Sequence, residues 1–198
     1  MKESEIIEEF NMFAGEYNEI VMNELGYQAY RIIPDLLLKH CRIKDAVVLD
    51  LGCGTGISSL SFFEQNFSVY GIDLSEEMLK AAAELPFKDL MCRNIENPLP
   101  FPENSFDIVT AVGVTEFINS PINLLSNISK VLKTDGLLGI TFPVSENQRK
   151  EIRSYNPPQI KKLFSESGFE ICGETIFRGY KNEESEIEYF GAAARLTH

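Results

Sequence analysis

Apolar positions follow two periods along the chain, and the alternation between them sets the first expectations. Ile6, Phe10, Phe13, Tyr17 and Ile20 fall three or four residues apart, the spacing of a helix with one buried face. A second helix is predicted from about Tyr27 to His40, with Pro34 at a break or in a first turn. "DAVVLDL" (45–51) is then a short apolar run rich in β-branched residues, as in a strand buried on both faces. "ISSLSFFEQN" reads as a helix, "FSVYGIDLS" as a second buried strand ending at Asp73, and "SEEMLKAAAEL" as a helix capped by Ser75 with Met78, Leu79 and Ala82 inward.

The alternation continues to the end of the chain. "DLMCRNI" is a third strand, and "ENPLPFPENS" is a loop because Pro98, Pro100 and Pro102 sustain neither regular structure. "FDIVTAVGV" is a fourth strand. Ser120 caps the next helix, Pro121 opens it, Leu125, Ile128 and Leu132 point inward, and Gly136 follows its end. "LLGITFP" is a fifth strand, Asn156 or a neighbour caps a helix that runs through Leu163 and Phe164 to a stop at Gly168, and a strand opens at Phe169. "TIFRGY" and "EIEYFGAAARL" flank a charged turn, "NEESEIE", as an antiparallel hairpin finishing the sheet.

Alternating units of this kind require right-handed crossovers, so the expected fold is α/β: a doubly wound, mostly parallel seven-stranded sheet with helices on both faces and a C-terminal antiparallel hairpin. A chain of 198 residues suits one compact unit over 41–198, with residues 1–40 as a helical segment packing on or lidding the site. Ligands of such sheets lie past the carboxyl ends of the strands, where strand order reverses.

Composition narrows the ligand. Eighteen basic and 30 acidic residues give a net charge of -12, which disfavours a nucleic-acid partner and favours a small or protein substrate. The acidic start and the absence of an apolar run near 18 residues lead us to expect a cytoplasmic protein that does not enter a membrane. Cys41, Cys53, Cys92 and Cys172 form no CxxC pair, and His40 and His198 are the only histidines, so neither a metal site nor a histidine-based triad is expected. The five basic residues in "QRKEIRSYNPPQIKK" read as solvated surface.

The candidate chemistry sits at the end of the first strand, in "LGCGTGIS". Gly52, Gly54 and Gly56 let the chain turn sharply and bring backbone N–H groups to a ligand, and the helix start that follows favours an anionic group. The dinucleotide pattern G-x-G-x-x-G fails because Ile57 occupies the last glycine position. Asp73, 23 residues past Asp50, suits a ribose diol. A nucleoside carrying a carboxylate satisfies both features.

"VVLDLGCGTG", "VYGIDLS", "PLPFPENSFDIV" and "NPPQIKKLFSESGFEI" together resemble the class I S-adenosylmethionine-dependent methyltransferases, in the family's order and spacing, over roughly Phe10 to Leu196. The resemblance implies a Rossmann-like domain, S-adenosylmethionine as cofactor and a small-molecule methyl acceptor. It places Asp50, Gly52, Cys53 and Gly54 around the methionine part, Asp73 at the ribose and Leu74 against the adenine. Asn94 stands where an Asp is usual for the adenine amino group and its amide carbonyl can accept that hydrogen bond, Ile95 would pack on the ring, and Ala111 and Val112 would offer backbone contacts to the methionine end. Within the loop, Cys53 reads as a small side chain turned toward the core.

"FNMFAGEYNEI" is similar to the "FDxxAxxYD" opening of many small-molecule methyltransferases, in which the tyrosine, here Tyr17, helps close the cofactor site; Asn11 and Asn18 stand where Asp is common. Tyr17 reads equally as a core position of its helix. Displacement at a sulfonium needs alignment and, where the nucleophile must lose a proton, a base. Glu116 in "VTEFI" is the candidate base, with a solvated or hydrogen-bonded carboxylate at a helix start as its alternative, and Tyr155 is a candidate on the substrate side. A non-catalytic S-adenosylmethionine-binding module and a protein-directed methyltransferase are the competing expectations.

Overall fold

The computed structural model describes residues 2–144, 153–181 and 186–197. Its elements are α1 (Glu3–Phe13), α2 (Tyr17–Glu19), a π-helical turn (Ile20–Glu24), α3 (Ala29–His40), β1 (Val47–Leu51), a 3-10 turn (Ile57–Ser59), α4 (Leu60–Glu64), β2 (Ser68–Asp73), α5 (Glu76–Ala82), β3 (Asp89–Cys92), β4 (Phe106–Ala111), α6 (Pro121–Val131), β5 (Leu132–Val144), α7 (Pro157–Glu166), β6 (Phe169–Lys181) and β7 (Glu186–Leu196). One seven-stranded sheet runs in the order β3-β2-β1-β4-β5-β7-β6. Strands β1 to β5 pair in parallel, and β7 pairs antiparallel with both β5 and β6. The expected doubly wound architecture with its terminal hairpin is therefore present. Strand order reverses between β1 and β4, which puts a crevice beyond their carboxyl ends.

Successive strand residues feed opposite faces of the sheet. Val48, Val69 and Ile108 pack with Ile33, Leu37 and Phe62 under α3 and α4, whereas Leu49, Ile72 and Val109 pack with Leu125, Ile128, Ile160 and Phe164 under α6 and α7. This two-sided burial explains the continuous apolar runs. The seat of α3 depends on two glycines: a Cβ at Gly139 of β5 would lie 2.5 Å from Leu37, and one at Gly191 of β7 would lie 2.6 Å from Ile33. No larger residue fits beneath this helix.

Several boundaries differ from the expectation. Pro34 lies inside α3, where it is buried against the sheet, and does not break it. The missing N–H removes one bond from a helix that packing holds along its length. Helix α6 stops at Val131, and Leu132 is already a strand residue paired with Phe106. Lys133 is drawn to that edge by Asp107, which accepts its ammonium at 2.9 Å. Phe169 and "TIFRGY" belong to one continuous strand with register shifts at Ile171/Gly173 and Arg178/Tyr180. The first five residues of the basic run (Gln148 to Ile152) and most of the charged turn (Asn182 to Ser185) lie outside the described residues.

Ile33 has 0% of its surface exposed at the centre of the α3 contact. Ile33→Ala is expected to destabilise the fold by about 3 kcal/mol, read as a lower urea midpoint with an unchanged slope.

Candidate functional site

The loop after β1 is built by backbone conformation. Gly52, Gly54 and Gly56 have φ values of +69°, +54° and +88°, a region L side chains rarely adopt. At Gly52 a Cβ would also lie 2.2 Å from Val114, so the turn and the segment after β4 require glycine together. The N–H groups of Gly52 and Cys53 both donate to the Ile72 carbonyl, at 2.7 and 3.0 Å. The Gly54 N–H donates to Asp73 Oδ2 at 2.8 Å, and the Ser75 N–H to Asp73 Oδ1 at 2.9 Å. Asp73 is thus fixed with each oxygen holding one backbone donor and keeping a further lone pair. Burial pushes its pKa above the usual aspartate range, against those hydrogen bonds.

Asp73 lines a cleft of about 890 Å³, counted to its open mouth, together with Gly52, Gly54, Leu74, Ile95 and Val112. Helix α1 forms the opposite wall, contributing Glu3, Ile6, Ile7 and Phe10, and Tyr17 follows from α2. Three side-chain hydrogen bonds tie this segment to the loops of the cleft. Ser75 Oγ donates to Asn11 Oδ1 at 2.6 Å, Thr55 Oγ1 to Asn18 Oδ1 at 2.6 Å, and Asn94 Nδ2 to Glu3 Oε2 at 2.8 Å. Asn11 and Asn18, at positions where Asp is common in the family pattern, act here as acceptors for hydroxyls.

Beyond the cleft, the segment after β4 is pinned to β5: the Gly113 N–H donates to Thr141 Oγ1 at 2.8 Å, and Thr115 Oγ1 to the Thr141 carbonyl at 2.7 Å. This turns the Glu116 carboxylate inward, where Tyr189 Oη donates to its Oε1 at 2.5 Å and its Oε2 is buried with no partner among the described residues. Burial raises the Glu116 pKa above the usual value, and the tyrosine only partly offsets this. Of the two alternatives to a base, the hydrogen-bonded carboxylate matches this arrangement and the solvated one does not. The Tyr189 ring stacks on Phe177 at 6.2 Å and meets Tyr27 edge-on at 5.8 Å. Burial first, then the charges of Glu116 and Asp73, push the Tyr17 pKa up.

Eight residues expected around the cofactor line the cleft: Tyr17, Gly52, Gly54, Asp73, Leu74, Asn94, Ile95 and Val112. Asp50, Cys53 and Ala111 are not among the residues that line it, and their side chains stand behind it. Asp50 accepts Ser58 Oγ, Ser59 Oγ and Thr110 Oγ1, each at 2.7 Å, and so clamps the helix start to β1 and β4. Cys53 is 2% exposed, its sulfur toward Gly71 as a Cβ there would meet it at 2.8 Å, and Ala111 is fully buried in β4. Glu116 and Tyr155 lie outside the cleft wall. Tyr155 packs edge-on against Phe142 at 5.2 Å, and burial pushes its pKa up while Arg153 opposes the shift. Asn156 caps α7 in a reciprocal box with Gln159, at 2.9 and 3.0 Å, which accounts for "NPPQ". Sequence reasoning missed Tyr189 and Tyr27, which carry no local motif.

Comparison with known proteins fixes the family. A family model described as a methyltransferase domain matches residues 49–140. An uncharacterised protein of Methanocaldococcus jannaschii is 31% identical over 162 residues, covering 78% of this chain and 68% of that one. The chain belongs to the class I S-adenosylmethionine-dependent methyltransferases. A demethylmenaquinone methyltransferase of Tropheryma whipplei is 31% identical over 147 residues, covering 69% of this chain and 61% of that one. Among solved structures, the [4+2]-cyclase SpnF shares the fold, with a TM-score of 0.78 and 19% identity over 97% of this chain and 95% of that one.

S-adenosylmethionine is the cofactor of this methyltransferase class, and the residues present fit it. Gly54 has open space where a Cβ would stand, with nothing within 4 Å. The cleft carries the carboxylates of Glu3, Asp73 and Glu96 against the single guanidinium of Arg93, a balance suited to a sulfonium. Among the described residues no helix is long and apolar enough to cross a membrane, and no cluster of His, Cys, Asp or Glu suits a metal ion.

Asp50, Asp73 and Glu116 all have raised pKa values in the folded protein. The folded state therefore holds protons that the unfolded chain has released, and stability falls as pH rises from the usual carboxylate values through the shifted ones. Unfolding in urea between about pH 4 and pH 7 should show a falling midpoint, with Glu116→Gln flattening part of the slope.

Proposed function

We propose that this protein transfers the methyl group of S-adenosylmethionine to a small-molecule acceptor by in-line displacement, leaving S-adenosylhomocysteine. The observation that carries the reading is Tyr17, which stands within electrostatic range of both Asp73 in the cleft and Glu116 beyond it. One carboxylate belongs to the donor side and the other to the acceptor side, with the reacting centre near the tyrosine.

Asp73 keeps lone pairs for the ribose hydroxyls, Leu74 and Ile95 supply apolar surface for the base, and Gly52, Gly54 and Val112 meet the methionine end. The cofactor, when bound, supplies an electrophilic methyl group on a sulfonium. Positioning alone contributes on the order of 7–11 kcal/mol of barrier reduction in such a reaction. Glu116 takes the proton that the acceptor heteroatom loses as its bond to the methyl carbon forms. Its raised pKa makes the ionised form a stronger base than an exposed glutamate, and the Tyr189 hydroxyl holds it in place. Tyr155 borders the acceptor side.

A small acceptor is supported by the relative named as a demethylmenaquinone methyltransferase. The acidic balance of chain and cleft gives no support to a nucleic-acid acceptor. We place the protein in the cytoplasm. The second reading is a module that binds the cofactor without turnover, which Glu116 and Tyr155, both outside the cleft wall, favour.

Incubation with methyl-labelled cofactor and fractionated metabolite extract separates the two readings. The proposal expects label in a small product and stoichiometric S-adenosylhomocysteine, while tight binding without turnover in any fraction contradicts it. With the acceptor so found, Glu116→Gln should lower kcat by about 100-fold or more and abolish the acidic limb of the pH profile. Affinity for S-adenosylhomocysteine should change less than about twofold.

A further inference from the structure

Glu3 is an exposed carboxylate at the lip of the cleft. Ile6, Ile7 and Phe10 form the face that α1 turns to the cleft, and Glu3 shares it at the i, i+3, i+4, i+7 spacing. The other acids of the helix, Glu5, Glu8 and Glu9, are not among the residues lining the cleft. Glu3 meets Asn94, the residue that follows β3 where the family pattern places a carboxylate for the adenine amino group. The Asn94 amide is committed on both sides: its Oδ1 accepts the Glu96 N–H at 2.8 Å, and its Nδ2 donates to Glu3 Oε2 at 2.8 Å. Turning the amide over would face donor to donor at Glu96 and acceptor to acceptor at Glu3. Asn94 therefore orients Glu3 more than it offers a free carbonyl to a base.

We propose that Glu3 determines base specificity: held by Asn94 at the mouth of the cleft, its carboxylate accepts the exocyclic amino group of the cofactor's adenine, so that reading the base and docking α1 are one event. The inference rests on the cofactor reading above. Glu3 already accepts one NH2 group, that of Asn94, and a carboxylate offers about four acceptor positions. Leu74 and Ile95, which suit the faces of the ring, line the same cleft. The missing acid after β3 is thus supplied from the N-terminal helix. Because Ser75 and Thr55 hold Asn11 and Asn18 of the same segment, a base that engages Glu3 also favours the closed position of the whole wall.

The test compares two ligands by calorimetry: S-adenosylhomocysteine and its purine-riboside analogue, in which hydrogen replaces the amino group. The wild-type protein should prefer the adenine form by about tenfold or more, the usual strength of a hydrogen bond to a charged group. Glu3→Ala should bring the ratio to near one, whereas Asp73→Ala should weaken both ligands alike and keep the ratio. Hydrogen exchange over residues 3–13 should slow more with the adenine form than with the analogue. An undiminished preference in Glu3→Ala, or no preference in the wild type, overturns the proposal and leaves the cofactor reading standing. Failure of both ligands to bind the wild type overturns both.

Discussion

The Asp73 carboxylate accepts the N–H groups of Gly54 and Ser75 from two different loops, at 2.8 and 2.9 Å, and the cleft is organised around that pair of bonds. The loop after β1 can reach Asp73 only because three glycines take positive φ, and it holds its course because Asp50 clamps three hydroxyls behind it. One acid faces the ligand and the other faces the scaffold. Both are desolvated, and both are stabilised by donors that cost no reorganisation when a ligand arrives.

This division of labour also explains the N-terminal wall. A cleft at the carboxyl end of a parallel sheet is open on one side, and α1 and α2 close it with apolar side chains from Ile6 to Tyr17. The wall has no buried residue within α1 itself, so the tethers at Asn11, Asn18 and Glu3 fix its place. Helix α3 is different in kind, since it packs on Gly139 and Gly191 as part of the core. The first forty residues thus contain a wall of the site and a piece of the scaffold.

Much of the fold was legible in the sequence because the central strands are apolar runs and helices α5, α6 and α7 carry their own caps. Ser75, Ser120 and Asn156 all cap the helices expected of them. The end of α6 was not legible, since Leu132 suits a helix stripe and a strand equally and its pairing with Phe106 decides the matter. In the site, the glycines and Asp73 were legible because their spacing is local. The clamp at Asp50 was not legible because two of its partners follow it by eight and nine residues and the third by 60. Tyr189 was invisible for the same reason, arriving from the terminal hairpin 73 residues after Glu116.

The central claim is that a single cleft holds a nucleoside amino acid with its ribose at Asp73 and its sulfur toward Tyr17 and Glu116. A crystal structure with S-adenosylhomocysteine bound tests it directly. The account predicts both ribose hydroxyls within about 3 Å of the Asp73 oxygens, with the Gly54 and Ser75 bonds intact and the sulfur on the Glu116 side. A ligand seated elsewhere, or one whose ribose leaves Asp73 untouched, would contradict it.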